Sequence, residues 1–255
     1  MTESQVVLDA LSTLFSAVVT SIQSEKSQGS DSTDSLSADQ KLTIATFMTA
    51  LIGGLPALGA SLKKAGFSQT CKHIIDEEEF LDPDYDYDFT DVKDTQTFYR
   101  GGEVYERPCG WKRYALKVLD KYRDGNAWLG ERGHCTTTHS EDGEWPVAYH
   151  GTSRSGARGI ITDQFKPGPG QKYGRGIYCT PYLSEATPYT EPFSSTSKGR
   201  EYQVVLQIRV NPKYREKHNK GKYWLVPIKE GLTEEEEQEI VDKAVRPYAI
   251  LMRRL

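Results

Sequence analysis

The stretch at residues 145–189 constrains the fold of this chain more than any other. Residues 147–149 form a short apolar run typical of a strand, and residues 153–161 carry small and apolar side chains at the spacing of a short helix. Residues 165–176 are rich in glycine and proline, which predicts an irregular loop. Residues 177–179 again predict a strand. Two strands connected in this way are expected to border a cleft.

Four residues of this stretch suggest a ligand in which a flat ring is attached to a sugar. His150 follows the first strand, and either of its ring nitrogens can bond ribose hydroxyls. Gly151 lacks a side chain, so a ligand amide can approach its N–H and carbonyl groups. Tyr178 and Tyr189 are eleven positions apart, and we expect them to close on the two faces of an aromatic ring.

The motifs HGT (residues 150–152) and GRGIYCTP (residues 174–181), with a further tyrosine eleven residues after that of GIY, resemble a known family. They are similar to the NAD-binding core of ADP-ribosyltransferases of the poly(ADP-ribose) polymerase type. The resemblance covers residues 145–255. It implies an α+β fold in which split antiparallel β-sheets surround an NAD cleft.

The resemblance also implies a role for each residue of the two motifs. His150 would hold the ribose hydroxyls on the adenosine side, and Gly151 would pair with the nicotinamide amide. Tyr178 would line the nicotinamide pocket, while Tyr189 would stack on the ring. Thr152 and Gly176 belong to the same motifs and are assigned to the cofactor site with them.

A glutamate completes the family signature of His, Tyr and Glu, and here its position falls on Tyr223, or on Trp224 with a slip of one residue. Neither is an acid. In the family that glutamate serves chain elongation and helps to stabilise an oxocarbenium-like ribose. We therefore expect mono-ADP-ribosyl transfer from NAD with His150, Tyr178 and Tyr223 as the catalytic set. NAD hydrolysis, and binding of NAD or ADP-ribose without turnover, remain open.

A third possibility on the same scaffold is an RNA 2′-phosphotransferase. Such an enzyme needs several arginines around a phosphate, and Arg154, Arg158 and Arg175 are the candidates. In the transferase interpretation Arg175 would instead meet the pyrophosphate of NAD.

The sequence before the motifs predicts two further regions. Residues 1–66 form a helical N-terminal region, because apolar residues recur at helical spacing over residues 4–23, and its helices offer a surface for homo-oligomerisation. Residues 42–62 lack charge, but their glycines and proline disfavour a membrane span. Residues 67–98 are an acidic linker, and residues 99–255 form the transferase-like domain.

Four local patterns complete the prediction. Aromatic and apolar residues over 111–122 predict an amphipathic helix, and residues 213–222 form a basic loop suited to a protein or nucleic-acid acceptor. Thr233 followed by Glu236 predicts a capped helix. His134, Cys135 and His139 lack a fourth ligand at zinc spacing, so we expect no metal site.

Composition limits the partners and the compartment. The net charge of −4 gives no overall attraction to nucleic acid or to an anionic membrane. The four cysteines have no repeated spacing, and no basic, apolar leader is present. This pattern predicts reduced thiols in a cytoplasmic or nuclear protein.

Overall fold

The computed structural model describes residues 6–11, 18–23, 72–76, 80–130, 137–151, 172–190, 192–195 and 200–255, which form a mixed α+β protein with mainly antiparallel sheets. The strands are β1 (Val18–Gln23), β2 (Lys72–Asp76), β3 (Tyr87–Asp88), β4 (Phe98–Arg100), β5 (Glu103–Tyr105), β6 (Lys112–Ala115), β7 (Val147–His150), β8 (Gly176–Cys179), β9 (Phe193–Ser194), β10 (Glu201–Val210), β11 (Glu216–His218), β12 (Tyr223–Pro227) and β13 (Val245–Arg254). The α-helices with defined bounds are Leu183–Ala186 and Glu234–Ala244, and short 3-10 turns span Pro83–Tyr85, Ala127–Leu129 and Thr187–Tyr189.

The main sheet is antiparallel and has the strand order β3-β6-β13-β10-β7, with β9 also paired to β10. Its two long central strands, β10 and β13, pair along their whole length from Tyr202 opposite Arg254 to Val210 opposite Val245. Both strands are buried over most of their residues. Most of their residues are apolar, and the polar residues Gln207 and Arg209 of β10 are buried with hydrogen-bond partners, as a strand covered on both faces requires.

A smaller antiparallel sheet has the order β11-β12-β8. It meets the main sheet where β7 passes β8: the N–H of Tyr149 donates to the carbonyl of Thr180 at 2.7 Å, and the N–H of Thr180 donates back at 3.1 Å. Beyond this bridge the two strands separate. His150 and Gly151 lie at the end of β7, at the opening between the sheets.

The strands predicted from the sequence at residues 147–149 and 177–179 are confirmed as β7 and β8. The predicted C-terminal helix is confirmed as well. The Thr233 hydroxyl accepts from the N–H of Glu236 at 3.3 Å, and the Glu236 carboxylate accepts from the N–H of Thr233 at 2.8 Å. This reciprocal capping box fixes the start of the helix Glu234–Ala244.

The helix predicted over residues 111–122 is wrong. Residues 112–115 form β6, which pairs with β13 on one side and β3 on the other. The N–H of Ala115 donates to the Asp86 carboxylate at 2.7 Å, and Asp120 has φ +57, a conformation foreign to a right-handed helix. Pairing within the sheet therefore overrides a periodicity that also fits a helix.

The segment predicted as an acidic linker includes folded structure over residues 80–98. Phe80, Phe89 and Phe98 are buried in this segment, and β3 extends the main sheet. One of its acidic groups contributes to the fold: the Asp86 carboxylate accepts from the N–H of Ala115 in β6. Burial raises the pKa of this carboxyl group. The segment therefore belongs to the same folded unit as the sheet, and its aromatic side chains explain why.

The N-terminal helix predicted over residues 4–23 is correct only in its first part. Residues 6–11 are helical, and Val7, Leu8, Ala10 and Leu11 are buried. Residues 18–23 instead form β1, which pairs in parallel with β2. Residues 24–66 of the predicted helical region, which include the uncharged run at residues 42–62, lie outside the described residues. Within the ranges that are described, no helix is both long and apolar enough to cross a bilayer.

Candidate functional site

A cavity of about 260 Å³ lies where β7 and β8 separate. Its walls consist mostly of aromatic and small side chains, with a few polar groups. It is lined by Tyr149, His150, Gly151, Tyr178, Cys179, Thr180, Ala186, Tyr189 and Tyr223. Five of these residues were singled out from the sequence, although they come from four separate elements of the fold. The volume is near the lower end for a ligand pocket, which suits a ring with its sugar.

His150 stands at the end of β7, with its Nδ1 atom 2.8 Å from the carbonyl oxygen of Tyr178 on β8. Because a carbonyl only accepts, Nδ1 carries the proton and donates. Burial lowers the pKa of the imidazole. His150 is therefore neutral near pH 7, and its Nε2 atom offers a lone pair to a donor such as a sugar hydroxyl.

Gly151 is required by a close approach of two backbones. A Cβ atom at this position would lie 2.2 Å from the carbonyl oxygen of Ala186 and 3.1 Å from the Cβ atom of Tyr189. The short helix Leu183–Ala186 and the 3-10 turn after it therefore pack directly on the end of β7. The absence of a side chain leaves Gly151 on the wall of the cavity.

Tyr178 presents its ring to the cavity, while its hydroxyl is held by the loop before β8. The hydroxyl donates to the carbonyl of Gly174 at 2.8 Å and accepts from the N–H of Tyr173 at 2.9 Å. With both functions of the hydroxyl satisfied, the ring has a fixed orientation. Tyr178 is thus suited to form a wall rather than to transfer a proton.

Tyr189 ends the 3-10 turn Thr187–Tyr189, and 58% of its surface is exposed. An aromatic ring that both lines a cavity and stays this exposed has a free face. Stacking on a flat ligand would cover that face. The turn is fixed by the Thr190 hydroxyl, which donates to the carbonyl of Thr187 at 2.7 Å.

Tyr223, at the start of β12, is the residue that occupies the third-motif position in the cavity. Trp224, the alternative one residue later, is 2% exposed, with the Arg215 guanidinium 3.8 Å from the centroid of its ring. Successive strand residues point to opposite faces, so only one of the two can line the cavity. That residue is Tyr223.

The hydroxyl of Tyr223 donates to the carboxylate of Glu185 at 3.1 Å. The same carboxylate accepts from the ammonium of Lys222 at 2.7 Å. Sequence reasoning missed Glu185. It is the one acidic residue between Tyr178 and Tyr189 in the sequence, and that position was the available signal.

The aromatic edge of the site continues from Tyr223 toward β11. The ring of Tyr173 lies 6.5 Å from the ring of Tyr223, and it stacks on His218 at a centroid distance of 4.3 Å. The predicted basic loop at residues 213–222 is thus partly a strand, since Glu216–His218 forms β11. Two of its cations, Arg215 and Lys217, contact the carboxylate of Glu103 on β5.

Two other predicted site residues, Arg175 and Gly176, are not among those that line this cavity. Arg175 forms an ion pair with Glu237 at 2.5 Å and donates to the carbonyl of Lys229 at 2.8 Å, so its guanidinium is directed toward the C-terminal helix. Gly176 has a packing role, because a Cβ atom there would lie 2.1 Å from the carbonyl of Val226. Thr152 lies outside the described residues, as do Arg154 and Arg158.

A larger cavity of about 350 Å³ lies against β6 and β13. Arg113, Leu116, Leu129 and Tyr248 are among the residues that line it, and it contains none of the predicted site residues. In the described part of the chain, no group of three or more His, Cys, Asp or Glu residues is arranged to hold a metal ion. His134 and Cys135 lie outside that part.

No protein-family model matches this chain, and no curated protein has a significantly similar sequence.

Proposed function

We propose that this protein is a mono-ADP-ribosyltransferase that uses NAD, with the split sheets of an ADP-ribosyltransferase-like domain around its cleft. The observation that carries the proposal is the convergence of His150, Gly151, Tyr178, Tyr189 and Tyr223 on one cavity. Their order and spacing follow the family resemblance, and their contacts suit the roles that it implies.

In this proposal NAD binds with its nicotinamide ring between Tyr178 and Tyr189. The backbone of Gly151 pairs with the amide of the ring, and the neutral His150 accepts from a ribose hydroxyl through Nε2. Aromatic stacking supplies contact area, while the hydrogen bonds fix orientation. The adenosine end extends from the mouth of the cavity.

The proposed reaction breaks the bond between the ribose C1 and the nicotinamide nitrogen, and the electron pair leaves with nicotinamide. The oxocarbenium-like ribose is then attacked by an acceptor on a protein or nucleic acid, which loses a proton. A site that holds the reactants in place lowers the barrier chiefly through orientation. The lack of a motif glutamate favours addition of one unit over chain elongation.

A second function is favoured by one specific observation, the tyrosine at the position of the family glutamate. The same cavity would then bind NAD or ADP-ribose without turnover. NAD hydrolysis differs from transfer only in that water is the acceptor. The phosphotransferase alternative has less support, since Arg175 is engaged by Glu237.

The test is to incubate the purified protein with NAD and to measure released nicotinamide. His150→Ala and Tyr178→Ala should abolish release, whereas His139→Ala and Tyr182→Phe, at exposed positions outside the cavity, should release it at the wild-type rate. Saturable NAD binding without release would favour the binding module. Absence of both binding and release would refute an NAD site.

A further inference from the structure

The carboxylate of Glu185 lies beside Tyr223, the residue at the position that the sequence pattern leaves without an acid. The family pattern puts a glutamate at the third motif, where this chain has Tyr223. The structure brings an acid to that point from a different element, the short helix Leu183–Ala186 that also packs on Gly151. Its Oε2 atom lies 3.1 Å from the Tyr223 hydroxyl oxygen.

Hydrogen-bond direction determines what this pair presents to a ligand. A phenol has one proton, and Tyr223 gives it to a carboxylate that can only accept. A second partner of the Tyr223 oxygen must therefore be a donor, such as the O–H group of an attacking acceptor. The pair thus faces the cavity as a hydrogen-bond acceptor, as a carboxylate would.

The charges around the pair support this arrangement. Hydrogen bonding to Lys222 lowers the pKa of Glu185, so the carboxylate is ionised at neutral pH. Hydrogen bonding to Glu185 raises the pKa of Tyr223, so the phenol keeps its proton. Tyr223 is therefore not itself an anionic base, and a proton that it accepts must be matched by one that it passes on.

We propose that Glu185 is the positioning residue that replaces the missing motif glutamate, acting through Tyr223; this inference rests on the proposed transferase function. As the acceptor oxygen bonds to the ribose C1, its proton passes to the Tyr223 oxygen, and the Tyr223 proton passes to Glu185. The bond to nicotinamide breaks and its electron pair leaves with that ring. Glu185 then releases the proton to water.

The competing explanation is that Glu185 and Lys222 form an ordinary surface ion pair. In that case Glu185→Gln would keep the wild-type kcat. Exposed ion pairs contribute little to folding. Glu185→Gln should therefore fold as the wild type does, and a change in its kinetics would not reflect a damaged fold. Glu216→Gln is the matched control, because Glu216 is an exposed acid on the neighbouring β11 that contacts His218.

The experiment measures nicotinamide release from NAD, with water and the protein's own side chains as acceptors. Glu185→Gln and Tyr223→Phe should each lower kcat by about 100-fold, as expected for loss of assisted proton transfer, with the KM for NAD changed by less than about twofold. The double variant should be no slower than the slower single variant, because the two residues act as one unit.

Wild-type kcat in Glu185→Gln, or losses that multiply in the double variant, would overturn the inference while leaving the transferase function intact. An equal loss in Glu216→Gln would also overturn it, since the effect would then be one of surface charge. A wild-type protein that releases no nicotinamide would refute both the inference and the proposed function.

Discussion

The Nδ1 atom of His150 lies 2.8 Å from the carbonyl oxygen of Tyr178, and this bond joins the ends of two strands from different sheets. It sets the tautomer of the imidazole and the direction of Nε2. It adds a side-chain link to the two backbone hydrogen bonds between Tyr149 and Thr180, so the orientation of His150 and the junction of the two sheets are coupled.

This contact predicts a pH dependence of stability. Burial lowers the pKa of His150 below the unfolded value of 6.5, so the unfolded chain takes up the proton first. The free energy of unfolding should hold above pH 6.5 and decline as the pH falls below it, down to the folded pKa. Denaturant titrations between pH 8 and pH 5 test this, and His150→Gln should flatten that decline. Equal slopes in both proteins would contradict the assignment.

Gly151→Ala should disrupt the cleft. The added Cβ atom would lie 2.2 Å from the carbonyl of Ala186, and backbone cannot move aside as a side chain end can. Overpacking of this kind costs on the order of 1–3 kcal/mol. We expect lower stability and loss of NAD binding by calorimetry. Ser184→Ala, at an exposed position on the same short helix, should change neither.

Tyr189→Ala should weaken NAD binding without affecting the fold. The ring is more than half exposed, so its removal loses little packing. Loss of an aromatic stack is worth about 0.5–1.5 kcal/mol, which is roughly a 3- to 10-fold rise in Kd. Tyr189→Phe keeps the stack and should bind as the wild type does. An equal effect of both substitutions would show that the hydroxyl, rather than the ring, contacts the ligand.

Glu144→Gln should be among the most destabilising single changes in this protein. Its carboxylate, whose side chain is 2% exposed, lies 2.9 Å from Nη1 of Arg209 and 3.5 Å from Nε of Arg100. Without it two buried guanidinium groups lose their counter-charge. We expect the free energy of unfolding to fall by about 3–5 kcal/mol. Chemical denaturation measures it.

The matched control for Glu144 is Glu239→Gln. This residue also pairs with a cation, Lys243 at 2.6 Å, but its side chain is 68% exposed. We expect its unfolding transition to match that of the wild type. Similar unfolding transitions for Glu144→Gln and Glu239→Gln would mean that the buried ion pairs of Glu144 do not stabilise the fold.

The strands β7 and β8 around the site were predictable because each is an apolar run too short for a helix. The short apolar run at β7 is followed by Gly151, and the run at β8 begins at Gly176 after a sequence rich in glycine and proline, so each run has a clear boundary. The site residues followed from these strands, since a motif at the end of a strand points to a cleft.

The sequence did not predict β6 or Glu185, for a common physical reason. The residues of β6 fit a helix as well as a strand, and the choice is made by β13, which lies more than a hundred positions away. Glu185 approaches Tyr223 only because the helix that carries it packs on Gly151. In both cases a contact distant in sequence determines the outcome.

The placement of β13 in the middle of the main sheet has a consequence for synthesis on the ribosome. β6 and β10 emerge first, and each has an edge that is paired only when residues 245–254 have left the exit tunnel. Until then these strands expose unpaired backbone N–H and C=O groups, which can pair with strands of other chains. We expect folding to be late and slow, and nascent chains that stall before residue 245 to require a chaperone.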